Sequence, residues 1–212
     1  MKKILFTSFL VLACFVIYSQ KYQHFYADFS IKQKSTKEDK YNLIVGNIDF
    51  DNKLNKAIYN IHFPQKEKWI IQDSFVYKYK NDTLTQTSKV GIVNDYLFFK
   101  QIIEHKDNDF GLTQYGFMSV AVEETEDHIS MEWEPPSQFK TFLKKAYTQV
   151  KDNLLTGVIF IDNNGVEINK TYYDNYEIVN DLPVPMKISS HYIAEKEELF
   201  KTITLRKVRL EQ

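Results

Sequence analysis

"AIYNIHFPQKEKWIIQDSFVYKYKND", residues 57–82, is the stretch that decides the fold. Ala57, Tyr59, Ile61 and Phe63 recur at a spacing of two, with other residues between them. That period belongs to a half-buried β-strand, whose successive side chains point to opposite faces. Pro64 ends the strand, because proline has no N–H to give to a ladder. A hairpin follows. Trp69 and Ile71 precede a turn at Asp73-Ser74, and Phe75, Tyr77 and Tyr79 return from it, with Lys78 and Lys80 facing away. Asn81-Asp82 supplies the next turn, in residue types that accept tight-turn geometry.

The same period runs outward in both directions. Upstream, "HFYADFS" (24–30) sets Phe25, Ala27 and Phe29 on one face. In "YNLIVGNIDFD" (41–51), Tyr41, Leu43 and Val45 alternate, and Ile48 and Phe50 continue after Gly46, which we read as a bulge or bend. Downstream, "SVAVEE" (119–124), "HISMEWE" (128–134), "TGVIFID" (156–162), "HYIAE" (191–195) and "KTITLRKVRL" (201–210) read as strands, and Asp162-Asn163-Asn164-Gly165 as a tight turn. One segment breaks the pattern. In "GIVNDYLFFKQIIEH" (91–105), Ile92, Tyr96, Phe99 and Ile103 recur at helical spacing, with Val93 and Leu97 beside them. "QFKTFLKKAYTQV" (138–150) suits either a helix face or a strand. The expected fold is mainly β with helices (α+β): one large antiparallel sheet with a helix inserted near its middle, in a single domain over residues 20–212.

Composition narrows the function. Aromatics reach 15% while glycine and proline number only 6 and 5, as a pleated, side-chain-rich sheet requires. The formal charge is −1, and no Lys/Arg block interleaves with aromatics, so nucleic acid is not an expected partner. The five histidines are scattered without metal-ligand spacing, so neither a metal nor a cofactor is expected. Asp107-Asn108-Asp109-Phe110-Gly111 lacks the spaced ligands of a calcium loop and reads as a polar loop. There is no nucleophile elbow and no glycine-rich phosphate loop, and the chain reads as a non-enzyme.

Lys2-Lys3 followed by the apolar run Ile4 to Tyr18 reads as a secretory signal, residues 1–19, cleaved after Ser19. The alternative is lipid attachment at Cys14, because Val11-Leu12-Ala13-Cys14 has the form of a lipobox. Phe15-Val16-Ile17 would then follow the anchor, an apolar leader where a hydrated tether is expected. The first reading gives a periplasmic protein, the second an outer-membrane lipoprotein.

Taken in order, "FYADFS", the Gly46-led "GNIDFD", "AIYNIHFP", the "KWIIQDSFVYKYKND" hairpin, a hydrophobic helix and "ISMEWEPP" resemble the outer-membrane lipoprotein carrier (LolA-like) family. Ser74 stands where that family usually has glycine. The resemblance implies an unclosed antiparallel β-barrel, or half-barrel, with a helical lid over a hydrophobic cavity. It implies acylated lipoprotein or other lipid as cargo, an inner-membrane donor complex and an outer-membrane acceptor. The candidate cavity residues are Phe29, Tyr59, Ile61, Trp69, Ile71, Phe75, Tyr77 and Tyr79, and the candidate lid residues are Ile92, Val93, Tyr96, Leu97 and Ile103. Two features depart from the family. Only Gln20 to His24 lie between the expected cleavage point and Phe25, where relatives carry a first lid helix. The region of the family's lid-latching arginine reads Asp51-Asn52-Lys53, and the chain's arginines are Arg206 and Arg209, so Lys53 or Lys56 is the candidate substitute. Besides a carrier, a tethered acceptor and an envelope interaction module that uses the greasy face fit the pattern.

Overall fold

The computed structural model describes residues 22–37, 40–89, 99–100, 102–103, 109–194 and 197–212. They form thirteen strands: β1 (His24–Ser35), β2 (Asn42–Asp51), β3 (Lys56–Phe63), β4 (Glu67–Gln72), β5 (Phe75–Lys80), β6 (Thr83–Lys89), β7 (Met118–Glu124), β8 (Ile129–Glu134), β9 (Leu143–Lys151), β10 (Leu154–Asp162), β11 (Glu167–Val179), β12 (Leu182–Ala194) and β13 (Glu197–Glu211). All belong to one sheet in the order β6-β5-β4-β3-β2-β1-β13-β12-β11-β10-β9-β8-β7. The chain starts at the centre and walks outward to β6. It then crosses to the far edge at β7 and walks back until β13 pairs antiparallel with β1. Among the described residues β6 and β7 are the two edges, so the sheet is an unclosed half-barrel.

Because consecutive strands are antiparallel, the connections sort to two ends. The distal end holds the β1–β2, β3–β4, β5–β6, β8–β9, β10–β11 and β12–β13 connections. The basal end holds the remaining hairpins together with His24 and Glu211, the outer residues of the β1–β13 pair. The β6–β7 connection leaves the basal end and arrives at the distal end, so it must travel the length of the strands as well as the width of the sheet.

The turns follow from residue type. Asp73-Ser74, Asn81-Asp82, Asp152-Asn153 and Asn180-Asp181 are two-residue hairpin loops with positive φ at both positions, from 47° to 66°. This geometry matches the twist of the flanking strands, and Asn and Asp tolerate it better than other non-glycine residues. Ser74, at φ 65°, is the member of this set that is neither Asn nor Asp. Ser74→Gly should therefore raise stability, by up to about 1 kcal/mol, with the midpoint in urea as the readout. The expected turn at Asp162 also forms. Its carboxylate accepts the backbone N–H groups of Asn164 and Val166, each at 2.8 Å, and these bonds, Val166's first, hold its pKa below the ordinary aspartate range.

Three local expectations change. Gly46 neither bends nor bulges β2: the register with β1 runs unbroken from Asn42 to Asp51. The extra residue is His62 on β3, between Ile61 opposite Gly46 and Phe63 opposite Val45. That bulge turns Phe63 off the face of Tyr59 and Ile61 and leaves it 50% exposed. The segment that suited either helix or strand becomes turns over 137–142 and then β9, on which Ala146, Thr148 and Val150 are buried. The expected helix falls largely outside the described residues. Within them, Phe99, Lys100, Ile102 and Ile103 are helical, and a lid of several turns is not seen. The described chain is thus mostly β, with less helix than the α+β expectation. The proposed signal, residues 1–19, also lies outside the described residues.

Candidate functional site: the covered face of the sheet

One face of the sheet is apolar from β4 to β8. On the central strands the register stacks Phe25 beside Phe50 and Leu210, Phe29 beside Gly46 and Leu205, and Ile31 beside Ile203. The row continues through Ile188 and Tyr173 in one direction and through Ile61 in the other. Phe25, Phe50 and Val158 have no exposed surface. A bulge keeps this face continuous. In β13, Lys207 and Val208 stand opposite Ala27 alone, with Lys207 at φ 51°, which returns Leu210 to the face that Leu205 occupies. The buried hydroxyls here are paired with one another or with an indole: Trp133 Nε1 donates to Thr148 Oγ1 at 2.9 Å, and Thr171 Oγ1 to Ser190 Oγ at 3.0 Å. Such pairing is what makes polar atoms tolerable on an apolar face.

The cover of this face comes from the β6–β7 connection. Phe99, Ile102, Ile103, Phe110, Leu112 and Phe117 are all buried. Phe99 packs on Phe25 with ring centroids 4.8 Å apart. Farther along, Phe110 meets Phe160 and Tyr173 at 6.4 and 6.2 Å, and Phe117 meets Phe160 at 6.4 Å. The described residues of the connection therefore lie over β1 and over β10 and β11. Asp109, 8% exposed, fixes its bend: its carboxylate accepts the N–H groups of Gly111 at 2.7 Å and Thr113 at 3.1 Å. This is a turn closed by an aspartate side chain on the backbone two and four residues ahead, and it gives Asp109 a structural role in the polar loop 107–111. Asp107 and Asn108 lie outside the described residues.

Of the candidate cavity residues, Phe29, Tyr59 and Ile61 are buried on the covered face, and Trp69 and Ile71 are half-buried beside them. Phe29 and Tyr59 meet edge to face at 5.6 Å, and Tyr59 and Trp69 at 6.5 Å. Phe75, Tyr77 and Tyr79 are on the opposite face. The two-residue loop pairs Gln72 with Phe75, hence Ile71 with Val76 and Trp69 with Lys78. Directly paired residues share a face. Lys78 Nζ accordingly lies 4.7 Å from the Trp69 ring, and the three aromatics stand outside with Ile70. Among the candidate lid residues, Ile103 is buried and helical, while Ile92, Val93, Tyr96 and Leu97 lie outside the described residues. The substitute latch does not form at Lys56, which pairs with Asp51 on the outer face, and Lys53 is in the exposed β2–β3 turn. Arg206 and Arg209 are also outside, Arg209 lying 5.6 Å from the Tyr26 ring.

The face extends farther than the candidates drawn from the first half of the chain. Val158, Phe160, Tyr173, Ile188, Ile203 and Leu205 complete it. Their alternation is visible in the sequence, but nothing local says that β13 sits against β1. Separately, a groove of about 550 Å³ is lined by Tyr26, Asp28, Asn47, Lys207 and Arg209, with Ala27, Ile48 and Val208. An ion pair crosses it, Lys207 Nζ to Asp28 at 2.9 Å. Among the described residues no group of His, Cys, Asp and Glu could hold a metal ion, and no helix is long and apolar enough to cross a membrane.

The sequence matches no family model and no curated protein. The fold does find matches among solved structures. A LolA-superfamily protein from Nitrosomonas europaea superposes with a TM-score of 0.60 at 12% identity, over 90% of this chain and 87% of that one. A DUF1329 family protein from Desulfovibrio piger gives 0.62 at 11%, over 90% and 87%. A candidate outer membrane lipoprotein-sorting protein domain from Vibrio parahaemolyticus gives 0.63 at 11%, over 91% and 87%. At these identities the likeness is one of fold: this chain shares the architecture of a LolA-superfamily protein and of a lipoprotein-sorting domain, as a divergent relative in structure would.

Proposed function

We propose that the protein is a periplasmic carrier that binds the acyl chains of a lipoprotein, or of another lipid, between the apolar face of the sheet and the β6–β7 connection. The supporting observation is how that face is covered. A thirteen-stranded sheet buries its apolar side under residues of one crossing connection and, among the described residues, no second layer of regular structure. Such a cover can leave as a unit, as a second sheet could not. The LolA-like architecture and the lipoprotein-sorting description of the Vibrio neighbour point the same way.

Burying a sixteen-carbon chain supplies about 0.8 kcal/mol per CH₂, or roughly 13 kcal/mol gross. A carrier must also let go. Displacing the connection exposes its buried aromatics at about 1.5–3 kcal/mol each, which offsets part of that gain and keeps binding reversible. The site needs no reacting group, so its role is binding and hand-over rather than catalysis. Mass spectrometry of lipid extracted from the protein purified out of its own envelope is expected to find acyl chains in stoichiometric amount. Lipid-free protein that also fails to take up a fluorescent fatty acid would reject the carrier.

A further inference from the structure

Along most of its length the covered face is apolar, but one row across its centre is not. The register sets Gln33 on β1, Lys201 on β13, Ser190 on β12 and Thr171 on β11 side by side. Directly paired residues share a face. This row is on the covered one, because two residues toward the basal end run Ile31, Ile203, Ile188 and Tyr173, all buried. From there β1 and β13 stay apolar on this face down to Phe25 and Leu210. Two hydrogen bonds tie the basal end together: Tyr22 Oη donates to the Asn180 carbonyl at 2.8 Å, and Asn180 Nδ2 to the Leu210 carbonyl at 2.9 Å.

The row is not simply a rim that meets water. Thr171 and Ser190 are buried, and the pair Tyr192 and Leu199 continues the face on the distal side. Thr171 Oγ1 lies 3.0 Å from Ser190 Oγ and 3.1 Å from Asn169 Oδ1. Its single proton goes to one of them, and hydroxyls so placed can turn to serve a third group. Lys201 is half-buried, with Nζ 5.7 Å from the Tyr192 ring. Net charge does not single this region out: Glu197 shares the face nearer the rim, paired with Lys37 at 2.7 Å. What the row offers is an ammonium, an amide and two hydroxyls on a face otherwise suited to hydrocarbon. Polar groups cost free energy in such a place, and a few of them in an apolar site are what orient a ligand.

We infer that this row is the head-group site of the carrier. The acyl ligand lies with its oxygen-bearing head, a carboxylate or an ester, on Gln33, Lys201, Ser190 and Thr171, and with its chain toward the basal end. From Ile31 to Phe25 the strand runs roughly 20 Å at about 3.3 Å per residue, so a long chain that displaces the connection lies along it. The reverse orientation would put the head among Phe25, Phe50 and Leu210, side chains that offer it no donor. The inference rests on the carrier reading and adds to it the direction of the cargo and the residues that select it.

The test measures displacement of a fluorescent fatty acid by palmitate, methyl palmitate and hexadecane, probes of equal chain length. Palmitate should bind at least about tenfold more tightly than hexadecane. Lys201→Met, and separately Thr171→Val with Ser190→Ala, should each shrink that ratio by about threefold or more and leave hexadecane within about twofold of the parent. Lys201→Arg should keep most of the ratio, since the charge and the donors remain. Ile203→Val, in the neighbouring apolar row, should weaken both probes alike. Methyl palmitate identifies the head: binding equal to palmitate means that ester oxygens suffice, and weaker binding means that the row reads a carboxylate. Equal binding of palmitate and hexadecane, or a ratio that the row variants leave unchanged, overturns the inference and leaves the carrier standing. Binding of no probe rejects both. Should a row variant fail to fold, the order of the probes on the unaltered protein decides.

Discussion

Phe99→Ala is expected to destabilise the empty protein by about 3 kcal/mol and yet to tighten its hold on a fluorescent fatty acid by about tenfold or more. Phe99 is 2% exposed and packs, tilted, against Phe25 with ring centroids 4.8 Å apart. Truncating it removes transfer free energy and leaves a cavity, and both terms weaken the covered state. If connection and acyl chain compete for the same face, whatever the covered state loses no longer opposes the cargo. About 1.4 kcal/mol of that difference is a factor of ten in affinity. Phe25→Ala removes the same ring contact from the other side. It should be similarly destabilising, but it should weaken lipid binding, because Phe25 belongs to the sheet that receives the chain. Urea unfolding and fatty-acid titration of the two variants separate the cases. Weaker binding in both would mean that the β6–β7 connection is permanent core rather than a displaceable cover.

Gly46→Ala should be among the most damaging single changes, costing about 3 kcal/mol or preventing recovery of folded protein. A β-carbon at this position would lie 2.2 Å from the carbonyl oxygen of Asn60 and 3.1 Å from the α-carbon of Ile61. Both atoms are backbone, so no rotamer change relieves the clash, and β2 and β3 would have to part. The close approach coincides with the β3 bulge at His62, where the two strands change register. Gly157 is the control. There the new carbon would meet the Tyr172 ring at 3.4 Å and the Thr171 carbonyl at 3.6 Å, ordinary contact distances. Gly157→Ala should stay within about 1 kcal/mol of the parent. Comparable losses at the two glycines would refute the close-approach explanation.

The features that were legible in the sequence are those set by neighbours in the chain. Strand period is one: β1, β3, β8 and β10 coincide with the alternating segments. Turn chemistry is another, since Asp73-Ser74, Asn81-Asp82 and Asp162 to Gly165 turn where their residue types demand it. The face of Phe75, Tyr77 and Tyr79 was open to the same reasoning but went the other way. Carrying the odd-numbered alternation of Trp69 and Ile71 through the hairpin puts these aromatics beside them. A two-residue loop pairs odd positions with even ones, so the hairpin reverses the parity. A loop of two residues is by itself enough to assign them to the outer face.

By itself, then, the sequence determined that this chain is a sheet protein of alternating strands joined by tight turns, with one long segment that does not alternate. These are consequences of side-chain period and backbone preference, which act over a few residues. Only the tertiary structure decided that β13 lies against β1, that the apolar face therefore runs from β4 to β8 as one surface, and that residues of the non-alternating segment cover it. The reason is physical: β1 and β13 stand at opposite ends of the chain, and no local signal encodes their pairing. It forms because the two half-sheets bury one apolar surface only when they are joined edge to edge.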